Sequence, residues 1–348
     1  MLTTTPARRS AALAFGVVLA LGVGGCDIHI DSHASPFASL SASDVARYRA
    51  AWCDEKTAAA LAQVPTEAPD PDRVHAIVER MKSRARAWGP TWSFPSHPAS
   101  AVPSPPPAPQ APTSAQQAVT TLATCAKQAA IDTEVADETM APLLAAAAAA
   151  RENETTELAA ALGIDRPNGD DVEAATPLVL NRERTSYVAA PSAPTPTPAD
   201  PQATKADLGQ ALAALDYARY RLEQAASHLD AGVKTQARQL ADHVAVVEES
   251  LVASGIPDTR KPLYGRLDVG DAVAAVRECA ADLARATQSL VKATDSRELR
   301  RQAVGLLTNT EQIAAGWGVP QALPGVDLSG SATVLPSATP EPSANAPS

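Results

Sequence analysis

Four stretches of helical apolar periodicity, joined by connections of unequal length, constrain this chain more than any other feature. They are Ala206–Leu229, Lys234–Ser254, Val269–Ala293 and Ser296–Trp317. The first and third connections hold only two to four residues, which forces antiparallel neighbours. The second runs from Gly255 to Asp268, 14 residues. Extended, it reaches roughly 46 Å, against ~30 Å for a 20-residue helix. The spacing therefore predicts a third helix that starts beside the second and runs parallel to it. Strands do not compete for this sequence. With three Phe, four Trp and five Tyr in 348 residues, the chain lacks the aromatic content that β-sandwich and barrel cores draw on. The fold class expected is all-α.

The N-terminal half reads as a smaller helical region, residues 43–190. Val45, Tyr48, Trp52 and Ala59 recur at helical spacing, and Asp70-Pro71-Asp72 starts a second helix that Gly89-Pro90 stops. Val74, Ile77, Met81, Ala85 and Trp88 form the apolar face of that helix, and Arg80, Lys82, Arg84 and Arg86 make its other side basic. Eight prolines fall between Pro95 and Pro112, which forbids helix and reads as an exposed spacer (residues 95–112). Residues 114–163 are helical in composition, interrupted at Pro142 and carrying six alanines at 145–150. Eleven acidic residues against Arg151 and Arg166 fall between Asp132 and Glu173. The expectation is that Asp132, Glu134, Asp137 and Glu138 face the basic helix across this region. A second Pro-rich linker spans 191–202, the C-terminal domain 203–325, and a Ser/Ala/Pro-rich tail 326–348.

The chain begins with a charged pair, Arg8-Arg9, and an apolar run of 13 residues from Ala11 to Val23, too short to span a ≈ 30 Å hydrocarbon core. It ends in Val23-Gly24-Gly25-Cys26, which resembles the lipobox of bacterial lipoproteins. That resemblance implies a signal peptide over 1–25 and diacylglyceryl transfer to Cys26. It also implies an extracytoplasmic protein lipid-anchored to the cell membrane through two or three acyl chains, palmitate among them. The arginine pair leaves Sec and twin-arginine export both open. Residues 26–42 read as a lipidated tether. His29, Asp31 and His33 alternate there like ligands, but on a flexible segment they would have to offset their own ordering entropy. Of the remaining cysteines, Cys53 and Cys125 fall on helical stretches of the same half and are paired here; the 72-residue loop so closed stabilises by roughly 4 kcal/mol. Cys279 is left as a buried free thiol.

Residues 205–325 resemble the ferritin-like domain of unknown function found at the C-terminal end of secreted bacterial lipoproteins. The segments that carry the likeness are Ala211–Ala218, the helix around His243–Leu251, the Pro257–Tyr264 crossover, and Ala303 through Trp317 to Pro324-Gly325. The resemblance implies a four-helix bundle with one long crossover and brings no activity with it. It does raise a di-iron or dimanganese site, which needs inward carboxylates from four helices and Glu-x-x-His pairs. In helical projection the first helix places Leu208, Leu212, Leu215, Leu222 and Leu229 in one arc, with Asp216 and Glu223 at its edge and Arg219 between them. The second centres on Leu240, Val244, Val247 and Leu251, flanked by His243 and Glu248. The third arc is Val273, Val276, Ala280, Leu283, Thr287, Leu290 and Val291, with Glu278 and Asp282 pointing away. In the fourth, Leu299, Ala303, Leu306, Thr310, Ile313 and Trp317 face inward and Glu311 lies off the face. The chain contains no Glu-x-x-His, so Asp216, Glu223, His243 and Glu248 are the only metal candidates.

A net charge of −10 argues against nucleic acid as a partner. No Gly-rich phosphate loop, zinc-spaced Cys/His cluster or nucleophile elbow is present. The reading is a membrane-anchored lipoprotein, a non-enzymatic binding or scaffolding module at the cell surface with a cell-envelope protein as possible partner and no cofactor. Its alternative is a degenerate iron or manganese oxidase or metal-storage domain. Whether the two helical halves pack together stays open at this level.

Overall fold

The structure is a computed structural model that describes residues 41–63, 68–91, 110–167, 201–265, 271–318 and 320–326. The lipobox and Cys26, the His29–His33 tether, nearly all of the proline insert, Asp170–Glu173 and the tail after 326 lie outside the described residues. So does the 191–202 linker, apart from the start of a helix at Pro201.

All regular structure among the described residues is helical: α1 (Ala42–Leu61), α2 (Pro71–Trp88), α3 (Ala115–Thr133), α4 (Met140–Leu162), α5 (Pro201–Ala226), α6 (Ala231–Ala253), α7 (Ala272–Ala293) and α8 (Arg297–Gly316). The boundaries follow local chemistry. Ser41 and Asp44 close a capping box on α1, Asp70 caps α2 with Pro71 in its first turn, and Ser114 caps α3. Pro142 does not break a helix. It sits in the first turn of α4, where a missing N–H costs nothing, and the interruption falls before it at 134–139.

The helices form two quartets with one connectivity. In the first, α1 packs on α2 and α3, and α4 on α3 and α2; in the second, α5 packs on α6 and α7, and α8 on α7 and α6. Arg49 meets Asp132 while Cys53 meets Cys125, so α1 and α3 run in opposite directions. His243 lies by Asn309 and Gln236 by Trp317, which sets α6 against α8 in the same way. Each helix is thus antiparallel to both of its neighbours in the quartet. The long connections, 89–114 and 254–271, join diagonal helices. This corrects one expectation: α7 is parallel to α6 but does not start beside it, because α5 and α8 stand between them.

The quartets share one core. α4 packs against α8 and α7 as well as α1, α2 and α3, and Ala145–Ala150 are all buried. Over 145–150 the helix is surrounded by its neighbours, and alanine lets five helices approach its backbone closely. α8 runs parallel to α4: Arg300, near its start, donates to the Thr133 and Ala136 carbonyls, and Glu311, further on, faces Glu154. Beyond α8 the chain folds back over this seam. Gly325, at φ 74°, lies so close to α7 that a Cβ there would meet the Ala284 backbone at 2.7 Å.

Most of the projected arcs are buried as drawn. Val273 (46% exposed) and Ala59, however, are surface residues.

Candidate functional site

The residues singled out as metal candidates are only partly brought together. Asp216 of α5 is buried, and one of its oxygens accepts from Arg219 Nη2 at 2.8 Å. The other accepts the Lys261 N–H at 3.1 Å and the Tyr264 hydroxyl at 2.7 Å. Asp216 therefore pins the crossover onto α5. Glu248 of α6 is buried and takes Arg219 Nε on both oxygens, at 3.1 and 3.2 Å. Glu223 is solvent-facing and accepts from Arg219 Nη1 at 2.9 Å. One guanidinium thus holds all three carboxylates and fills the space at their centre. Burial pushes Glu248 up to about 7 even with Arg219 and Arg260 opposing it. Tyr264 is pushed up to about 12 by burial and by its bond to Asp216. His243 is not among them; half-buried, it faces Asn309 of α8 at 3.2 Å, with its pKa lowered by burial. Among the described residues no group of three or more His, Cys, Asp or Glu side chains is arranged to hold a metal ion.

The first quartet carries the larger polar cluster, and the sequence reading misplaced its members. Arg84, assigned to the basic outer side of α2, is fully buried: Ile77, Met81, Arg84 and Trp88 share one arc at 3.6-residue spacing. It donates to Asp54 at 3.1 Å, to Glu154 at 3.0 Å, and to the Ala322 carbonyl at 3.0 Å. Arg151 of α4 grips Asp54 at 2.7 Å and the Ala50 carbonyl at 2.9 Å, and Trp88 Nε1 donates to Asp54 at 2.8 Å. Burial alone would raise Asp54, but Arg151 and Arg84 outweigh it and hold the carboxyl below its ordinary value. Arg80 completes the set, bonded to Glu154 at 3.1 Å and Glu157 at 2.7 Å.

Three of the four acidic residues expected opposite α2 do other work. Asp132 pairs with Arg49 of α1, Glu134 with Arg301 of α8, and Asp137 accepts the Thr139 and Met140 N–H groups at the start of α4. The partners of α2 are Asp54, Glu154 and Glu157 instead. Glu311, placed off the inward face of α8, does point away from the core of its own quartet. It is nonetheless 2% exposed, because that side of α8 packs on α4.

Cys53 and Cys125 are joined across α1 and α3, with Cα atoms 6.3 Å apart. Beside them lies a cavity of about 230 Å³. Tyr48, Trp52, Ala50, Ala129 and Leu144 give it apolar walls, and Arg49, Gln128 and Asp132 a polar one. Cys279 is a buried free thiol whose pKa burial raises to about 11, which keeps it protonated and unreactive at neutral pH.

Comparison of the chain with protein-family models, curated proteins and solved structures returned no match. No helix among the described residues is long and apolar enough to cross a membrane.

Proposed function

We propose that this chain is an extracytoplasmic lipoprotein, anchored through acylated Cys26, whose helical quartets act as a non-enzymatic binding module for a small, largely apolar molecule. The second quartet is read as a ferritin-like four-helix bundle on the strength of its short, long, short connections. The observation that carries the binding reading is the cavity between α1 and α3, apolar on most sides with a few convergent polar groups. An apolar cavity of about 150 Å³ holds benzene. At 230 Å³ this one suits a ring-bearing molecule of about nine non-hydrogen atoms, with a polar edge toward Asp132 and Gln128. Arg219, seated among Asp216, Glu223 and Glu248, favours this reading over an iron or manganese oxidase.

Indole matches the cavity in size and carries one N–H donor. Calorimetric titration of the full chain is expected to give a Kd below ~1 mM, and Thr124→Phe, which fills the cavity from its rim, is expected to abolish it with helicity unchanged. Absence of indole binding by the native chain removes the small-ligand reading. Anchoring is read separately: an alkyne fatty acid fed to the producing cells should label the chain, and Cys26→Ser should not be labelled.

A further inference from the structure

Around Glu311, at the end of the seam away from the buried Arg300, the buried charges do not balance. Four carboxylates (Asp54, Glu154, Glu157 and Glu311) face three guanidinium groups (Arg80, Arg84 and Arg151), and each of the seven side chains is at most 16% exposed. Arg73 of α2 reaches Glu157 only at 3.9 Å from the solvent side, half exposed. An isolated buried charge costs several kcal/mol, so such a cluster closes as a neutral set by holding one proton. Three carboxylates have a guanidinium within bonding distance. Glu311 has none among the described residues; its partner is the Gln321 N–H, at 2.7 Å.

The groups facing Glu311 are Glu154 and Glu157 of α4, Arg80 of α2, and the Gln321 amide from the segment that folds back over the seam. We propose that the seam between the two quartets is a proton-linked latch, closed when the Glu311 carboxyl is neutral and loosened when it ionises. The segment fastened by it is 320–326, which is tied on the same side by Arg84 to the Ala322 carbonyl and by Gln288 to the Pro324 carbonyl. This inference stands apart from the binding reading: of its residues only Arg151 also borders the cavity.

The sign follows from linkage. Burial pushes Glu311 up to about 8, with the Gln321 N–H and Arg80 opposing and Glu154 and Glu157 reinforcing the rise. In the unfolded chain the same carboxyl ionises near the ordinary glutamate value of 4.5. Its contribution is intact below that pH, is lost steadily as pH rises to about 8, and is flat beyond.

The test is urea unfolding of the full chain and of Glu311→Gln between pH 5 and 9, with amide exchange at Gln321 in both. Relative to the variant, the native folding constant should fall by up to tenfold per pH unit until about pH 8. Gln321 should exchange faster in the native chain than in the variant at pH 9 and equally at pH 6. Parallel stability profiles, or an exchange ratio that does not change with pH, overturn the proposal. Should Glu311→Gln fail to fold, carbon-13 spectra of the native chain labelled at glutamate decide it. The carboxyl signal assigned to Glu311 should titrate near pH 8, and a Glu311 signal that titrates below pH 6 overturns the latch.

Discussion

The two quartets share a connectivity and differ in what they bury. The second has a leucine-lined interior: Leu212, Leu215, Leu240, Leu251, Leu283 and Leu306 are each at most 1% exposed, and its buried carboxylates Asp216 and Glu248 gather on one side around the partly exposed Arg219. The first is lined largely by alanine and carries Asp54, Arg84, Arg151 and Glu154 through its interior, with a disulfide across α1 and α3. Leucine fills the space between four helices by itself. Alanine does not, so the first quartet fills it with long arginines whose stems pack and whose heads need carboxylates. One arrangement of chain thus tolerates an apolar or an ionic interior, provided that every buried charge finds a partner.

That contrast can be broken experimentally. The largest effect should come from Arg84→Met, which removes the guanidinium shared by Asp54 and Glu154 and leaves two buried arginines, Arg151 and Arg80, to hold the carboxylates of the cluster: a loss of about 3–5 kcal/mol in urea unfolding, partly recovered when Glu154→Gln is added. Replacing Cys53 and Cys125 together by serine releases the loop between them, 72 residues apart in sequence, and should cost about 2–4 kcal/mol, while Cys279→Ala in the other quartet should change stability by less than ~1.5 kcal/mol. Smaller than the loss of the disulfide is that of Arg219→Met. Because Arg219 is a quarter exposed and Glu223 nearly half, solvent screens part of the loss, and about 1–2 kcal/mol is expected. A cost for Arg219→Met that matched Arg84→Met would remove the distinction between an ionic core and an ionic rim.

Much of the fold is legible in the sequence, because helix ends are written locally: Asp70-Pro71 and Gly89 bound α2, and Ser296 opens α8. Contacts between the quartets are harder to read. α8 carries a second stripe, Arg300, Val304, Leu307, Glu311 and Ala314, all buried against the first quartet. Projection onto a single apolar face hides it, since the eye follows Leu299, Ala303 and Leu306 inward and assigns the rest to solvent. The signal was present in Val304 and Leu307, whose period matches the first stripe with a different phase. Arg84 was hidden by the opposite error. Its neighbours Lys82 and Arg86 are exposed, and a charge between exposed charges reads as exposed even at a core position. In the metal candidates, the residue that decides the chemistry is Arg219. Its place between Asp216 and Glu223 is visible as an i, i+3, i+7 ladder, but its reach across to Glu248 is a tertiary fact.

The diagonal connections give the molecule a direction. A hairpin ladder of four helices would return the chain to the end where it entered, whereas here α1 and α4 point the same way, as do α5 and α8, and α4 is parallel to α8. Both quartets are therefore entered at one pole and left at the opposite one, about 30 Å away for helices of this length. The entry pole of α1 is the one nearest Cys26 in sequence. The Arg300 end of the seam lies at the entry pole, and Glu311 with the segment 320–326 over it lies toward the exit pole.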